Sequence, residues 1–264
     1  MILPDADDQR ALERAFAILE EPSFAAKATR ALGEPVAQAM TLLPAGWSEK
    51  VTTTTEAALG KALDAAVLTM RHGPRSEASQ FAHKVFSGLS GAAGGAFGLP
   101  ALALELPFSL IIMLRSIADI ARSEGETVRD ASTKLACLEV LALGGVGETR
   151  DPRRHGYYAV RLALASAVSE ATRFVAQKGV VSHGAPPLIR LVTQVATRLS
   201  IQVTEKAAAQ ALPVIGAAGG AVINLMFIDH FQDMARGHFA IRRLERRHGV
   251  ETVRAAYDAL RAPA

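Results

Sequence analysis

The chain has 264 residues, half of them apolar, and a formal net charge of +3. That is ample material for a buried core and too little positive charge for a nucleic-acid surface, so no nucleic-acid partner is expected. A single cysteine, Cys137, excludes an internal disulfide and any cysteine-rich metal site.

Ala and Leu dominate the composition and aromatics make up only 5%, which favours helices over strands. The first predicted helix covers Asp8 to Glu20, with Ala11, Leu12, Ala15, Phe16 and Leu19 on one face. A second starts at Pro22 and breaks near Gly33-Glu34-Pro35. A short one spans Val36 to Leu43, ended by Pro44. Thr52 to Thr55 open the next, which reaches Met70; their hydroxyls are suited to capping free N–H groups there. His72-Gly73-Pro74 is a stop.

Two uncharged runs follow, each carrying the hexapeptide GAAGGA: Val85 to Leu104, and Ala207 to Ile228. In the first, Gly88, Gly91, Gly95 and Gly98 form one helical stripe; Gly216 and Gly220 mark the second. Each glycine costs about 1 kcal/mol against Ala in a helix, so the stripes predict close backbone packing between two central helices. Pro100 is expected to break or kink its helix, and Pro107 interrupts the stretch Ala101 to Ala121. A loop at Ser123 to Glu126 precedes a helix from Arg129 to Leu143. Residues Gly144 to Gly156 form a charged, glycine-containing loop. Helices are then expected over Tyr157 to Gln177, from Pro187 to Leu199, from Thr204 to Leu212, onward to His248 with Gly249 as its stop, and from Glu251 to Arg261. Cys137 lies in an apolar helical stretch and reads as a buried thiol.

The pattern as a whole predicts an all-α multi-helix bundle with two central Gly/Ala-rich helices and a pseudo-twofold repeat. One domain over 1–264 is expected, with internal halves about 75–145 and 200–261 and N-terminal helices 8–72 packed on it. Superposing Ala121-Arg122 on Ala235-Arg236 pairs Arg115 with Asp229, Asp119 with Asp233, and Arg122 with Arg236. Together with His230 and the isolated acids Glu105 and Glu139, these form the candidate buried polar or ligand site. Three readings stay open. The two charged faces could meet as internal salt bridges. They could floor an apolar pocket in which Arg115, Arg122 or Arg236 takes an anionic headgroup. Or Glu105, Asp119, Glu139, Asp229 and Asp233 could act as a carboxylate-based hydrolase, with or without a metal ion.

Known catalytic patterns are absent: there is no HExxH, no GxSxG and no GxxxxGK[ST]. No catalytic residue, metal site or cofactor is assigned. Arg242, Arg243, Arg246 and Arg247, interleaved with apolar residues, suit an anionic membrane surface. The acidic N-terminus lacks the features of a signal peptide, so a cytoplasmic location, peripheral to the inner membrane, is expected. Mean hydropathy is only +0.19, which favours a peripheral over an integral protein.

Several segments resemble the EcsC protein family. They are LELPFSLIIMLRSIADIARSEGE (Leu104 to Glu126), KLACLEVLALGG (Lys134 to Gly145), Tyr157-Tyr158-Ala-Val-Arg161, EKAAAQALPVIGAAGGAVIN (Glu205 to Asn224) and HFQDMARGHFAIRRLER (His230 to Arg246). The similarity covers roughly residues 45 to 258. It implies a bacterial, helical, membrane-linked setting, with an ABC transporter as an expected partner, and supplies no catalytic residues. The reading of residues and resemblance together is a lipid- or membrane-associated binding or accessory protein with an apolar cavity.

Overall fold

A computed structural model describes residues 3–20, 24–32, 36–41, 43–70, 98–143, 156–178, 185–210 and 216–261. All regular structure among them is helical, as the composition predicts. In chain order the helices are α1 (Ala6–Leu19), α2 (Phe24–Leu32), α3 (Val36–Met40), α4 (Trp47–Met70), α5 (Gly98–Ser123), α6 (Ala131–Val140), α7 (Tyr157–Lys178), α8 (Pro186–Gln210), α9 (Gly216–His248) and α10 (Val250–Arg261).

Local chemistry explains most boundaries. Asp5 caps α1 by accepting from the N–H groups of Asp7 and Asp8. Gly249 adopts φ +85° and its N–H bonds to the Glu245 carbonyl, ending α9 and letting α10 turn back on it. Three boundaries differ from the sequence reading. Helix α4 begins at Trp47, so the threonine run lies inside it. Thr52 and Thr53 hydroxyls donate back to the carbonyls of Ser48 and Glu49 instead of capping an end. Pro100 does not break α5, because it falls in the first turn, where no intrahelical N–H partner is needed; Pro107 lies within the same continuous helix. Finally, α8 runs unbroken through the expected gap between Leu199 and Thr204.

Helix α9, 33 residues long and so about 50 Å, is the spine. It packs on α1, α2, α5, α6, α8 and α10. Helix α1 runs antiparallel to it: Asp8 meets Arg247, while Leu19 lies against Gly237. Helix α5 runs in the same direction as α9. At one end Glu105 shares Lys206 with Phe227; at the other Glu126 meets Arg242 and Arg246. Helix α4 bridges α5 and α8, and α7 closes against α6 and α8.

The core gathers Leu106, Leu110, Met113 and Ile117 of α5 with Ile223, Phe227, Phe231 and Phe239 of α9, all at most 1% exposed. Gly88, Gly91 and Gly95 lie outside the described residues. Gly98 is the first residue of α5, and Gly216 and Gly220 lie in the first turns of α9.

Candidate functional site

The charged faces of α5 and α9 are equivalent, but they do not meet. Under the alignment above, Met113, Ile117 and Ala121 correspond to Phe227, Phe231 and Ala235, and all six are buried. The charged residues therefore occupy the opposite, outer side of each helix. Asp119 pairs with Arg122 at 2.7 Å, and Asp233 with Arg236 at 2.6 Å, each within its own helix. Asp119, Arg122, Asp229 and Arg236 are exposed. Lys27 approaches Asp233 at 4.0 Å. Arg115 is half-buried on the same outer stripe and forms no ion pair with a described residue. The expected internal bridge between the two faces is thus corrected: water already solvates these ions, and burying them would cost more than their attraction returns. His230, by contrast, points inward among Phe24 and Phe231.

The arginines at the end of α9 are not a free basic face either. Arg242 and Arg246 share the Glu126 carboxylate. Arg243 pairs with Glu124 at 3.1 Å. Arg247 donates to both oxygens of Asp8 at 2.8 Å, and His248 reaches the same carboxylate at 2.7 Å. Burial alone would raise the Glu126 carboxyl; Arg242, Thr133 and Arg246 hold it below its ordinary value.

Two buried polar groupings remain. The larger fills the space between α6, α7, α9 and α10. All three tyrosines of the chain meet there, with centroids of Tyr157, Tyr158 and Tyr257 at 5.0 to 5.7 Å. Each hydroxyl has a partner on another element: Tyr157 with His238 Nδ1 at 3.0 Å, Tyr158 with Glu245 at 3.1 Å, Tyr257 with Glu20 at 2.8 Å. Arg161 forks onto Glu245 at 2.7 and 3.1 Å while its guanidinium lies over Tyr157 and Tyr158.

Burial pushes all three tyrosine hydroxyls far above their usual range, so they stay protonated. Burial, then Arg161 and Arg242, holds His238 well below its ordinary 6.5, so it is neutral. Its Nε2 has no hydrogen-bond partner among the described residues; Glu139 stands 3.9 Å away, too far for one. Burial raises the Glu139 carboxyl, and the two arginines oppose this. Burial also pushes the Cys137 thiol up to about 12, which makes it an inert core side chain, as expected.

The smaller grouping lies near the start of α9. Lys206, 1% exposed, donates to Glu105 at 2.5 Å, and its ammonium sits 5.1 Å from the Phe227 ring. Glu105 is therefore half-buried and paired, as an isolated acid in apolar surroundings must be, but its partner is none of the arginines expected for it. The carboxylates Glu105, Asp119, Glu139, Asp229 and Asp233 thus fall in different surroundings. Among the described residues no three acids, histidines or cysteines gather as a metal site.

Sequence reasoning missed Tyr157, Arg161, His238, Glu245 and Lys206 as interior polar residues. The signals were present but weak. Glu245 is the lone acid in the arginine run, and Tyr157-Tyr158 is the only tyrosine pair.

The chain belongs to the EcsC protein family, whose model matches residues 9–244. No curated protein and no solved structure matches it.

Proposed function

We propose that the protein is a membrane-peripheral helical binding protein that engages lipid through the uncharged end of α5 and α9. The observation that carries this reading is a pair of exposed apolar side chains there, Val222 at 48% and Leu225 at 50%. Phe108 on the neighbouring helix is 40% exposed. Residues 216–228 of α9 carry no charge, and residues 98–114 of α5 carry only Glu105, which Lys206 neutralises. The opposite ends of both helices are charged and ion-paired. This polarity along two helices running the same way favours contact at an apolar–water boundary. No helix among the described residues is long and apolar enough to cross a membrane. The proposed contact lies at the bilayer surface. It uses the apolar end, with the arginines of α9 serving as internal clamps. Accessory action beside a membrane transporter is compatible with this contact and follows from the family resemblance alone.

Co-sedimentation with phosphatidylcholine vesicles, with and without phosphatidylglycerol, tests the reading. Burying two half-exposed aliphatic side chains contributes about 2 kcal/mol, or roughly 30-fold in partitioning. The double substitution Val222→Asp/Leu225→Asp is expected to lower vesicle binding by at least that factor. Unchanged circular dichroism would show that the fold survives. Vesicle binding that is absent in the parent chain, or unaltered in the variant, refutes the proposal.

A further inference from the structure

The alignment that pairs Asp119 and Arg122 with Asp233 and Arg236 also pairs Phe108 with Val222, Ile111 with Leu225 and Arg115 with Asp229. Phe108, Val222 and Leu225 are exposed, and Ile111 is half-buried. Each helix thus turns outward one stripe that is apolar at its first two positions and charged from the third onward. Seven residues separate Phe108 from Arg115, and Val222 from Asp229; that is about 10 Å along a helix axis. Glu126 meets Arg242 across 116 residues, close to the spacing of the aligned pairs. Arg115 and Asp229 therefore stand at nearly the same height on two helices that run the same way.

The other ions of these helices are already matched. Lys206 neutralises Glu105, Asp119 holds Arg122, Asp233 holds Arg236, and the arginines at the end of α9 have carboxylates of their own. Arg115 and Asp229 form no ion pair with a described residue, and their signs are opposite. An apolar end that enters a bilayer by about 5–10 Å brings both to the headgroup layer. A uniformly anionic surface attracts Arg115 and repels Asp229, so the two effects cancel. A layer that carries phosphate and ammonium together gives each ion its counter-ion. Arg115 donates to phosphate oxygens. Asp229 accepts hydrogen bonds from a primary ammonium, which has N–H donors, and none from a quaternary one. We infer that the apolar end of α5 and α9 selects a phosphoethanolamine-bearing lipid surface, with Arg115 on the phosphate and Asp229 on the ammonium. This inference rests on the lipid reading above and names the headgroup class of that surface.

Co-sedimentation of the full chain at low salt tests it, with vesicles of phosphatidylcholine alone, mixed equally with phosphatidylethanolamine, or mixed equally with phosphatidylglycerol. An exposed ion pair contributes up to roughly fivefold in binding. The ethanolamine mixture is therefore expected to bind roughly threefold more tightly than phosphatidylcholine alone, and the glycerol mixture no more tightly. Asp229→Asn should erase the ethanolamine preference and make the glycerol mixture the tightest. Arg115→Gln should weaken binding to all three surfaces by roughly threefold, since all carry phosphate, and leave the ethanolamine preference in place. Neither substitution strands a buried charge. The inference is overturned if the parent chain binds all three surfaces equally or the glycerol mixture tightest, or if Arg115→Gln binds like the parent. An ethanolamine preference that survives Asp229→Asn overturns it as well, tracing the preference to lipid packing. In each of these cases vesicles still bind and the lipid reading survives. If no vesicle binds, both readings fall.

Discussion

Arg161→Met is the sharpest probe of the tyrosine-lined centre. Glu245 is 7% exposed by side chain and accepts two hydrogen bonds from Arg161 and one from Tyr158. Removing the guanidinium leaves a buried carboxylate with a single neutral donor. Breaking a buried ion pair costs about 3–5 kcal/mol; because Arg161 is itself 20% exposed, the lower end, about 3 kcal/mol, is expected. Loss of its contacts with two tyrosine rings, at 5.3 and 5.5 Å, adds roughly 0.5–1 kcal/mol. The double variant Arg161→Met/Glu245→Met has no stranded charge, so it should lie within about 2 kcal/mol of the parent and be far from additive. Urea unfolding at neutral pH, followed by circular dichroism, measures all three. A single-variant cost below about 1 kcal/mol, or a double variant equal to the sum of both singles, would refute the assignment of this pair as an interior clamp.

The α1–α9 contact predicts a change of sign. A Cβ on Gly237 would meet Leu19 Cγ at 2.7 Å, so Gly237→Ala should lose about 1–3 kcal/mol to crowding against about 1 kcal/mol of helix preference gained. In a Leu19→Ala background the crowding vanishes and the same substitution should stabilise, which thermal unfolding of the four chains will show. The interior His238 and Glu139 predict opposite pH trends. His238 is depressed, chiefly by burial, so its contribution is present above 6.5 and is lost as pH falls below it. His238→Gln should therefore gain on the parent as pH falls, by at most about 1.4 kcal/mol per pH unit. Glu139 is raised, again chiefly by burial, so its contribution is present below 4.5 and is lost as pH rises. Glu139→Gln should gain on the parent in that direction. Stability differences that are flat with pH would contradict either assignment.

Much of the architecture can be read directly from the residues. Apolar spacing and turn residues locate α1, α6, α7 and α10 to within a few residues, and Gly249 marks the end of α9 in advance. The errors at Thr52, Pro100 and Leu199 share a cause. Local rules identify residues suited to a helix end, but a threonine can bond back to a carbonyl and a first-turn proline is harmless. The correspondence of Asp119-Arg122 with Asp233-Arg236 is likewise visible in sequence. Which side of each helix turns inward is not, because a face with two ions in one turn can either pair across a core or remain in water.

Sequence alone therefore determined the helical class, the buried cysteine and the segregation of charge along α5 and α9, since each follows from residues close together in the chain. The tertiary structure decided which charge each ion meets. Lys206 finds Glu105 across 101 residues, Arg242 finds Glu126 across 116, and Arg247 finds Asp8 across 239. A buried ion is tolerable only beside its counter-ion, and that neighbour is set by how distant helices dock, which helical periodicity does not encode.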